Sequence, residues 1–441
     1  MSHDYISKLL ERAHCIVKPD LAALSRILRV LKNPQDKYPV IHLAGTNGKG
    51  STASMIAQIL CEAGYRVGLY TSPHLVRINE RIKINGKEIT DKDFNSVLQK
   101  VFALPEVDKL PYFSIITAAA FQYFAENKVD FLVAETGLGG RLDATNVAKN
   151  KIVNVITSIG LDHKDILGET LEEIAKEKAG IITDSTPVVA YTGRCSTDLV
   201  ISAKCKENNA PVFFLNRDFC VRSEAIDWQK SMQIFSYFGD VLLYPAIKSR
   251  DDDPKYKNLK IPLLGKHQIR NAALALAAIE IVQMQYSVSL KAIYIGLSKV
   301  KWPGRLEILQ HKIANIKLTI ILDGAHNAPG AKVLAETLKK SPYVKEKIVF
   351  VMSISQGKDY RKICYYLSRL AHKVILFNAN VERLSSLDKI REVWLKYLPG
   401  KNICVIEDLA KLPLVLHSSD KVLCVTGSLY AVAAFKKFFK V

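Results

Sequence analysis

The chain has 441 residues, 49% of them hydrophobic, which is enough apolar sequence for two or three domains with buried cores. No apolar run reaches the roughly 20 residues that a membrane-spanning helix needs, because the longest one, which begins at Ala272, is interrupted by Glu280. The formal net charge of +19 favours anionic partners, but the lysines are spread along the chain and select no particular class.

The N-terminal stretch MSHDYISKLLERAH contains acidic residues and lacks a hydrophobic signal core, so we expect no export signal. The eight cysteines are scattered and form no CxxC pair. This pattern is typical of free thiols in a reducing compartment, and we therefore expect a cytoplasmic protein.

From residue 40 to about residue 190, short apolar runs alternate with helical stretches, which predicts a mostly parallel sheet covered on both faces. Strands are predicted at VIHLAG, RVGLYTS, VDFLVAET and KIVNVITSI. Helices are predicted at STASMIAQILCEAG, YFSIITAAAFQYFAEN and TLEEIAKEKA. Residues 186–260 are less regular, with shorter strands predicted at VVAYTG, APVFFL, QIFSYF and DVLLYP.

The stretch KHQIRNAALALAAIEIVQM predicts a long helix, and the strand–helix alternation restarts after KVKWPGRLE. Strands are predicted there at KLTIILDG, KIVFVMSIS, KVILFN, NICVIED and KVLCVTGS. We place a domain boundary near residue 299. The chain is thus of the α/β class, with a mostly parallel sheet in residues 1–298 and a smaller, doubly wound, Rossmann-like domain in residues 299–441.

The glycine-rich stretch AGTNGKGST lies between a predicted strand and a predicted helix. There, backbone amides, the helix N-terminus and Lys49 can surround phosphate oxygens. The stretch departs from GxxxxGK[ST], because Leu43 occupies the first glycine position and Gly50 separates Lys49 from Ser51. A simple glycine-rich turn is the alternative. The strand, lysine and hydroxyl together favour nucleotide phosphate binding, so we interpret the first domain as a P-loop ATPase domain.

Three polar residues follow predicted strands of the first domain, namely Ser72, Glu135 and His163. In open parallel sheets, ligands bind outside the carboxyl ends of the strands. Each residue alone is compatible with a cap or a surface position. Together they offer a hydroxyl, a carboxylate and an imidazole to one edge, and hard oxygen ligands suit Mg²⁺ bound to a nucleotide.

A lysine falls on the apolar face of the helix predicted at TLEEIAKEKAG. Thr170 and Glu173 have capping-box spacing, and Gly180 suits the residue that follows the helix. Lys178 lies where a buried side chain is expected. The alternative is that its stem extends along the surface and its ammonium reaches water near the helix C-terminus.

Seven motifs occur in order from residue 44 to residue 327, namely AGTNGKGS, TSPHLVRINERI, ETGLGGRLDATN, LDHKDILGETLEEIAKEKAGI, GKHQIRNAALA, WPGRLE and DGAHN. This set resembles the folylpolyglutamate synthase and dihydrofolate synthase family, which is related to the Mur ligases. The final hundred residues match more loosely. The resemblance implies an ATP-binding domain of the Mur type in residues 1–298 and a glutamate-ligase domain in residues 299–441.

The resemblance implies an ATP-dependent carbon–nitrogen ligase of folate biosynthesis and one-carbon metabolism. The enzyme would add L-glutamate to dihydropteroate, to (tetrahydro)folate or to both, through an acyl phosphate. The implied nucleotide-binding residues are Thr46, Asn47, Gly48, Lys49, Gly50, Ser51, Asn271, Arg305, Asp323 and His326. The implied catalytic residues are Lys49, Glu135, His163, Lys178 and Arg305.

The resemblance also implies two Mg²⁺ ions, one near Ser72 and Glu135 and a second held by Glu135, His163 and Lys178. In this family the lysine of the EKAG run can carry CO₂ as a carbamate. A buried lysine responds to burial with a lowered pKa, and the neutral amine can then add CO₂. We therefore interpret Lys178 as a carbamylated metal ligand.

RLDATN resembles the bifunctional bacterial members, which implies a pterin pocket lined by Leu142, Asp143 and Ala144. The resemblance places L-glutamate near Ser428 and Tyr430, and for Ser428 a simple helix cap is the alternative. Two segments depart from the family pattern. DLAALSRI replaces a run close to GLERI, and PYFSII replaces an aromatic run that usually carries a glutamate. These departures concern the dihydropteroate activity more than the ATP chemistry.

Two other functions are alternatives to a folate-type glutamate ligase. A Mur-type cell-wall ligase shares the chemistry but uses a nucleotide-sugar acceptor, and RLDATN and SPHLVRINERI argue against it. A nucleic-acid-stimulated P-loop ATPase is suggested only by the charge and the phosphate loop, without a nucleic-acid-binding signature. We therefore expect a monomer whose partners are small molecules, namely ATP, L-glutamate and a pteroate or folate, with no nucleic-acid or membrane partner.

Overall fold

The computed structural model describes residues 4–14, 19–239, 253–379 and 384–441. Within these ranges the α-helices are α1 (Tyr5–Glu11), α2 (Leu21–Val30), α3 (Lys49–Glu62), α4 (Asp91–Phe102), α5 (Tyr112–Glu126), α6 (Lys164–Leu167), α7 (Leu171–Ala179), α8 (Cys195–Glu207), α9 (Lys266–Val282), α10 (Leu290–Lys299), α11 (Ala328–Leu338), α12 (Tyr360–Ser368), α13 (Leu387–Trp394), α14 (Leu412–Val415) and α15 (Leu429–Phe439). None of these helices combines the length and the apolar character needed to span a bilayer.

The first sheet has eight strands in the order β4-β3-β2-β5-β1-β6-β7-β8. Its strands are β1 (Val40–Ala44), β2 (Val67–Tyr70), β3 (Ile82–Ile84), β4 (Lys87–Glu88), β5 (Phe131–Glu135), β6 (Lys151–Ile156), β7 (Val188–Ala190) and β8 (Val212–Phe214). The pairings along β2-β5-β1-β6-β7-β8 are parallel, and the pairings β2–β3 and β3–β4 at one edge are antiparallel. The predicted mostly parallel sheet is confirmed.

The central strands of this sheet are apolar because they are covered on both faces. Every residue of β1 and β5 is buried, which is typical of a parallel strand between two layers of helices. One face packs on α2, α4 and α5 and, towards β6 and β7, on α7 and α8. The opposite face is covered by α3, which packs against β1, β2 and β5. In the register Leu43 pairs with Glu135 and Ala44 with Ile156, so the carboxyl ends of β5, β1 and β6 lie side by side.

A three-stranded sheet follows in the order β11-β10-β9. Its strands are β9 (Cys220–Asp227), β10 (Met232–Phe238) and β11 (Tyr256–Ile261). The strand predicted at QIFSYF corresponds to β10, whereas β9 and β11 were not predicted because both contain exposed polar residues. The strand predicted at DVLLYP lies outside the described residues.

The third sheet has six strands in the order β12-β13-β17-β14-β15-β16. Its strands are β12 (Glu307–Ile313), β13 (Ile316–Leu322), β14 (Ile348–Met352), β15 (Ala371–Phe377), β16 (Ile403–Ile406) and β17 (Val422–Thr426). Only the edge strand β12 is antiparallel, and it was not predicted. The buried strands β14 and β17 form the centre of this doubly wound sheet, as predicted.

The chain divides into two compact units. The first unit comprises Met1–Ser223, Phe235–Lys260 and Ile269–Val300. The second unit comprises Glu224–Ile234, Ile261–Gln268 and Lys301–Val441. Two short segments that precede residue 299 therefore belong to the second unit, a detail that the strand–helix alternation does not indicate.

In the first unit, α10 packs against α3 at a position without room for a side chain. A Cβ atom placed on Gly296 would lie 2.6 Å from Ile59 Cα and 2.9 Å from Ile59 N. We expect Gly296→Ala to lower the free energy of unfolding by about 1–3 kcal/mol, although alanine favours a helix by about 1 kcal/mol. Urea denaturation checks this.

Gly400→Ala serves as the control, because the nearest atom to its Cβ is 3.6 Å away. Equal stability of Gly296→Ala and the wild-type chain would contradict the close approach of the two helices.

Candidate active site at the carboxyl edge of the first sheet

The phosphate loop connects β1 to α3, as predicted. Gly48 has a φ of +97°, a backbone conformation that residues with a side chain rarely adopt. A Cβ atom at this position would also lie 2.5 Å from Asn271 Oδ1. A Cβ on Gly45 would lie 1.8 Å from Thr157 Oγ1. The loop backbone therefore passes directly against α9 on one side and against the segment after β6 on the other.

The segment after β6 fixes the loop through backbone and hydroxyl groups. The Thr46 amide donates to Ser158 O over 2.8 Å, and Thr46 Oγ1 accepts from the Gly160 amide over 3.0 Å. Ser158 Oγ donates to Asn47 O over 3.0 Å. These bonds preorganise the loop before any ligand binds.

The loop lysine faces a buried carboxylate. Lys49 Nζ donates to Gly45 O over 3.1 Å and lies 3.7 Å from Glu135 Oε1. Glu135, at the end of β5, is 4% exposed and accepts from the Ser72 amide over 3.2 Å. The structure thus brings Ser72 and Glu135, two of the residues that the sequence placed at one edge of the sheet, together with Lys49 of the phosphate loop.

Lys178 is buried on α7 and reaches the same loop. Its side-chain Nζ donates to Gly45 O over 2.7 Å, and the residue is 4% exposed. Burial, followed by the charge of Lys49, lowers the pKa of Lys178 to about 7, with Asp162 and Asp143 opposing the shift. The prediction of a buried lysine is confirmed, and the alternative in which the ammonium reaches water is wrong.

The local signals around Lys178 are confirmed, with one correction. Thr170 and Glu173 form the predicted capping box. Gly180 follows the helix as predicted, but its φ of −61° is right-handed, so the backbone conformation does not require glycine. A Cβ on Gly180 would lie 2.3 Å from Arg141 Cβ, and this close approach is the physical reason for glycine there.

His163 begins α6 on the segment after β6. Its Nε2 lies 3.9 Å from Asp162 Oδ1, and 46% of its side chain is exposed. Its role as a metal ligand stays a prediction. Asp162, whose side chain is 9% exposed, was missed by the motif-based interpretation. Its position next to His163 in GLDHKD and its charge near Lys178 make Asp162 a further candidate for the site.

The donors at this edge suit magnesium. Within the described ranges, no group of three or more histidine, cysteine, aspartate and glutamate side chains could hold a metal ion. Mg²⁺, however, usually takes one or two protein carboxylates and completes its shell with water and phosphate oxygens. Glu135 is a buried carboxylate beside Ser72 and the phosphate loop, so the residues present fit that ion.

The predicted pterin-pocket residues differ in exposure. Leu142 is 46% exposed, whereas Ala144 is buried. Asp143 Oδ2 accepts from the amides of Gly137 and Leu138, and its Oδ1 accepts from the Thr145 amide and hydroxyl. Burial raises the pKa of Asp143, while these hydrogen bonds oppose the increase. The Asp143 carboxylate therefore shapes the loop that follows β5.

In the second unit, three predicted nucleotide-site residues cluster around Gly324. A Cβ on Gly324 would lie 2.5 Å from an Arg305 guanidinium nitrogen, and His326 Nδ1 is 3.0 Å from Gly324 O. Asp323 accepts from the amides of Leu306 and Ala325. Burial raises the pKa of Asp323, and the charge of Arg305 opposes this. Their contribution to nucleotide binding stays a prediction.

The two residues predicted for glutamate lie at the start of α15. Ser428 Oγ donates to Ser353 O over 2.8 Å and accepts from the Ala431 amide over 3.0 Å. Ser428 is therefore a helix cap, the alternative that the sequence left open. Tyr430 is 45% exposed. Their role in glutamate binding stays a prediction.

Two family models match the chain. Residues 43–279 match the Mur ligase middle domain, and residues 305–383 match the C-terminal domain of dihydrofolate synthetase. A phosphate loop on a parallel sheet, within a Mur ligase middle domain, defines an ATP-dependent ligase.

Individual relatives identify the family of ATP-dependent ligases to which the chain belongs. The chain is 36% identical to dihydrofolate synthase/folylpolyglutamate synthase of Bacillus subtilis over 96% of both sequences. Folylpolyglutamate synthase of Mycobacterium tuberculosis, solved with ADP and AMPPCP, has a TM-score of 0.86 and 30% identity over 99% of both chains. E. coli FolC, solved with DHPP and ADP, has a TM-score of 0.83 and 26% identity, over 100% of this chain and 98% of that chain. The chain belongs to the folylpolyglutamate synthase and dihydrofolate synthase family, and the resemblance inferred from its motifs is confirmed.

The lowered pKa of Lys178 has a consequence for stability. Between pH 7 and pH 10.5 the unfolded chain binds more protons at this residue than the folded chain, so its contribution to stability rises with pH. In CO₂-free buffer, we expect the wild-type chain to gain about 2 kcal/mol relative to Lys178→Met between pH 7 and pH 9. Urea denaturation at both pH values measures the difference.

The matched control is Lys176→Met, on the exposed side of the same helix. If the Lys178→Met and Lys176→Met differences from wild type show the same pH dependence, the lowered pKa is wrong.

Proposed function

We propose that the chain is a ligase that adds L-glutamate to dihydropteroate, to a tetrahydrofolate or to both, at the expense of ATP. The observation that carries the proposal is the convergence of Lys49, Lys178 and Glu135 on the phosphate loop. The Bacillus subtilis relative bears the name of both activities, and the E. coli relative was solved with DHPP and ADP.

The reaction has two steps. The acceptor carboxylate attacks the γ-phosphorus of ATP, the bond to the ADP oxygen breaks, and an acyl phosphate forms. The amine of L-glutamate then attacks the acyl carbon, loses a proton, and displaces orthophosphate. The first step brings an anion towards a polyanion, and Lys49 and the loop amides reduce that repulsion and stabilise the transferring phosphoryl group.

The proposed nucleotide site in the first unit consists of Thr46, Asn47, Gly48, Lys49, Gly50, Ser51 and Asn271. The contact between Gly48 and Asn271 supports including α9 in this set. Arg305, Asp323 and His326 are proposed for the same role on the motif resemblance. We assign ATP binding to residues 1–298 and glutamate ligation to residues 299–441.

Ser72, Glu135, His163 and Lys178 are the residues proposed to hold magnesium. A bound Mg²⁺ supplies positive charge that screens the phosphates. The Ser72 amide orients the Glu135 carboxylate, and Lys49 fixes its second oxygen. Glu135 therefore has the burial and the orientation that a metal-binding carboxylate needs.

Lys178 is proposed to carry CO₂ as a carbamate. With a pKa of about 7, a large fraction of the amine is neutral near neutral pH. The nitrogen lone pair forms a bond to the carbon of CO₂, and a proton leaves to solvent. The product is an anion, which removes the repulsion between Lys178 and Lys49 and adds an oxygen ligand for the metal.

Leu142, Asp143 and Ala144 are proposed for the pterin, with the exposed Leu142 as the side chain that contacts it and Asp143 acting through the loop shape. Ser428 and Tyr430 are proposed for L-glutamate. We also propose that the enzyme is a monomer and that it is cytoplasmic. Free thiols such as those of Cys61, Cys205 and Cys364 are typical of a reducing compartment and support the second proposal.

ADP release separates the candidate functions. With L-glutamate present, we expect dihydropteroate or tetrahydrofolate to stimulate ADP release, and ¹⁸O from the acceptor carboxylate to appear in orthophosphate. Lys49→Ala should reduce turnover by at least about 100-fold, because it removes a charge at the transferring phosphoryl group. Circular dichroism checks that the variant is folded.

Lys92→Ala, at an exposed position of α4, is the control for the loss of a lysine. Stimulation by nucleic acid or by a nucleotide-sugar acceptor instead of a pterin would refute the proposal, as would full turnover in Lys49→Ala.

The carbamate makes a separate prediction. Removal of CO₂ should lower wild-type turnover, and Lys178→Ala should be inactive but partly rescued by a short carboxylic acid, which replaces the lost anion. Lys176→Ala, on the exposed side of α7, should keep full activity with and without CO₂. Turnover independent of CO₂, with an unmodified Lys178 mass in active enzyme, would exclude the carbamate.

A further inference from the structure

The loop after β5, residues 137–146, is here called the acceptor loop because it carries the proposed pterin contacts. It lies directly on the last turn of α7. A Cβ on Gly140 would lie 2.7 Å from Lys178 O and 2.9 Å from Glu177 O, and a Cβ on Gly180 would lie 2.3 Å from Arg141 Cβ. The loop and the helix that carries Lys178 therefore meet backbone to backbone.

Arg141 and Glu177 connect the same two segments. The Arg141 amide donates to Glu177 O over 2.9 Å, and the guanidinium lies 3.0 Å from Glu177 Oε1. The ion pair is partly exposed, with 56% and 26% of the side chains accessible, so it contributes little. Buried contacts are therefore needed to hold the acceptor loop in a fixed position on α7.

A buried ammonium provides those contacts. Lys151, at the start of β6, is 7% exposed, and its Nζ donates to Asn146 Oδ1 over 2.7 Å and to Ile181 O over 2.8 Å. Asn146 Nδ2 donates to Arg141 O over 3.2 Å and to Gly180 O over 3.0 Å. One lysine and one amide thus tie the acceptor loop to the residues that follow α7.

The opposite side of the loop is tied to β1. His42, which is fully buried, has Nε2 2.7 Å from Thr145 Oγ1, and Thr145 donates to Asp143. Because β1 leads into the phosphate loop, this contact connects the acceptor loop to the strand that carries the phosphate loop. The Lys151–Asn146 pair connects the acceptor loop to Gly180 and Ile181, just after the helix that carries Lys178.

We propose that Lys151 and Asn146 are positioning residues that hold the acceptor loop in register with Lys178. The inference rests on the proposed function, in which the acceptor carboxylate is aimed at a phosphorus atom beside Lys178. A displacement of about 1 Å at a reacting group can cost about 100-fold in rate. Loss of either residue would shift the acceptor and leave the phosphate loop in place.

Steady-state kinetics test the proposal, with acceptor and ATP varied separately. Lys151→Met keeps the side-chain length and removes the ammonium, and Asn146→Ala removes the amide. We expect kcat/KM for the acceptor to fall by about 10- to 100-fold in each variant, while KM for ATP changes less than about twofold. Lys151 and Asn146 belong to one hydrogen-bond network, so the effects of the two substitutions should not add. We expect kcat/KM for the acceptor in the double variant to be no lower than in the more impaired single variant.

Lys149→Met is the matched control, an exposed lysine two residues before Lys151, and should have wild-type kinetics. Unchanged acceptor kinetics in folded Lys151→Met and Asn146→Ala would overturn the inference. A parallel rise of KM for ATP and KM for acceptor would also overturn it, because a general loss of structure would affect both.

Hydrogen exchange in the wild-type chain gives a second measurement that does not depend on the variants folding. We expect residues 137–146 and 177–183 to share slow exchange, and fast exchange of the acceptor loop beside a protected α7 would overturn the inference. Absence of glutamate-dependent ADP release in the wild-type chain would instead refute the proposed function, and the exchange rates would still test the contact.

Discussion

Two lysine ammonium groups share one backbone carbonyl, that of Gly45, and the organisation of the site follows from this. Like charges repel strongly where water is excluded, and Glu135 is the carboxylate beside Lys49. Burial, followed by the charge of Lys49, lowers the pKa of Lys178 to about 7, so a large fraction of this amine is neutral near neutral pH. In the proposed carbamate, addition of CO₂ converts this amine into an anion beside Lys49.

The parallel sheet makes this arrangement possible. Strands β2, β5, β1 and β6 are neighbours, and their carboxyl ends deliver Ser72, Glu135, the phosphate loop and His163 to one edge. These residues are far apart in sequence, yet the strand register places Glu135 beside Leu43, just before the loop. The hydrophobic core that covers both faces of the sheet thus also sets the distances between the charged groups.

Much of this could be predicted from local patterns. Continuous apolar runs identified the buried central strands, and the spacing of Thr170, Glu173 and Lys178 indicated a capped helix with a buried lysine. The exposed edge strands β9 and β12 were missed because they lack an apolar run. The internal hydrogen bonds of Asp143 went unpredicted, since they depend on contacts that only the folded chain creates.

Gly140 and Gly180 show how a residue can constrain the position of a loop through the space that it leaves for a neighbour. Neither position has a positive φ that would favour glycine. Each glycine instead leaves space for a residue of the neighbouring segment. A larger residue at 180 could be accommodated only if Arg141 moved, and Leu142 would move with it. On the proposed role of Leu142, a substitution at position 180 should therefore also change acceptor preference. The spacing of the two backbones makes the effects of residues 180 and 142 interdependent.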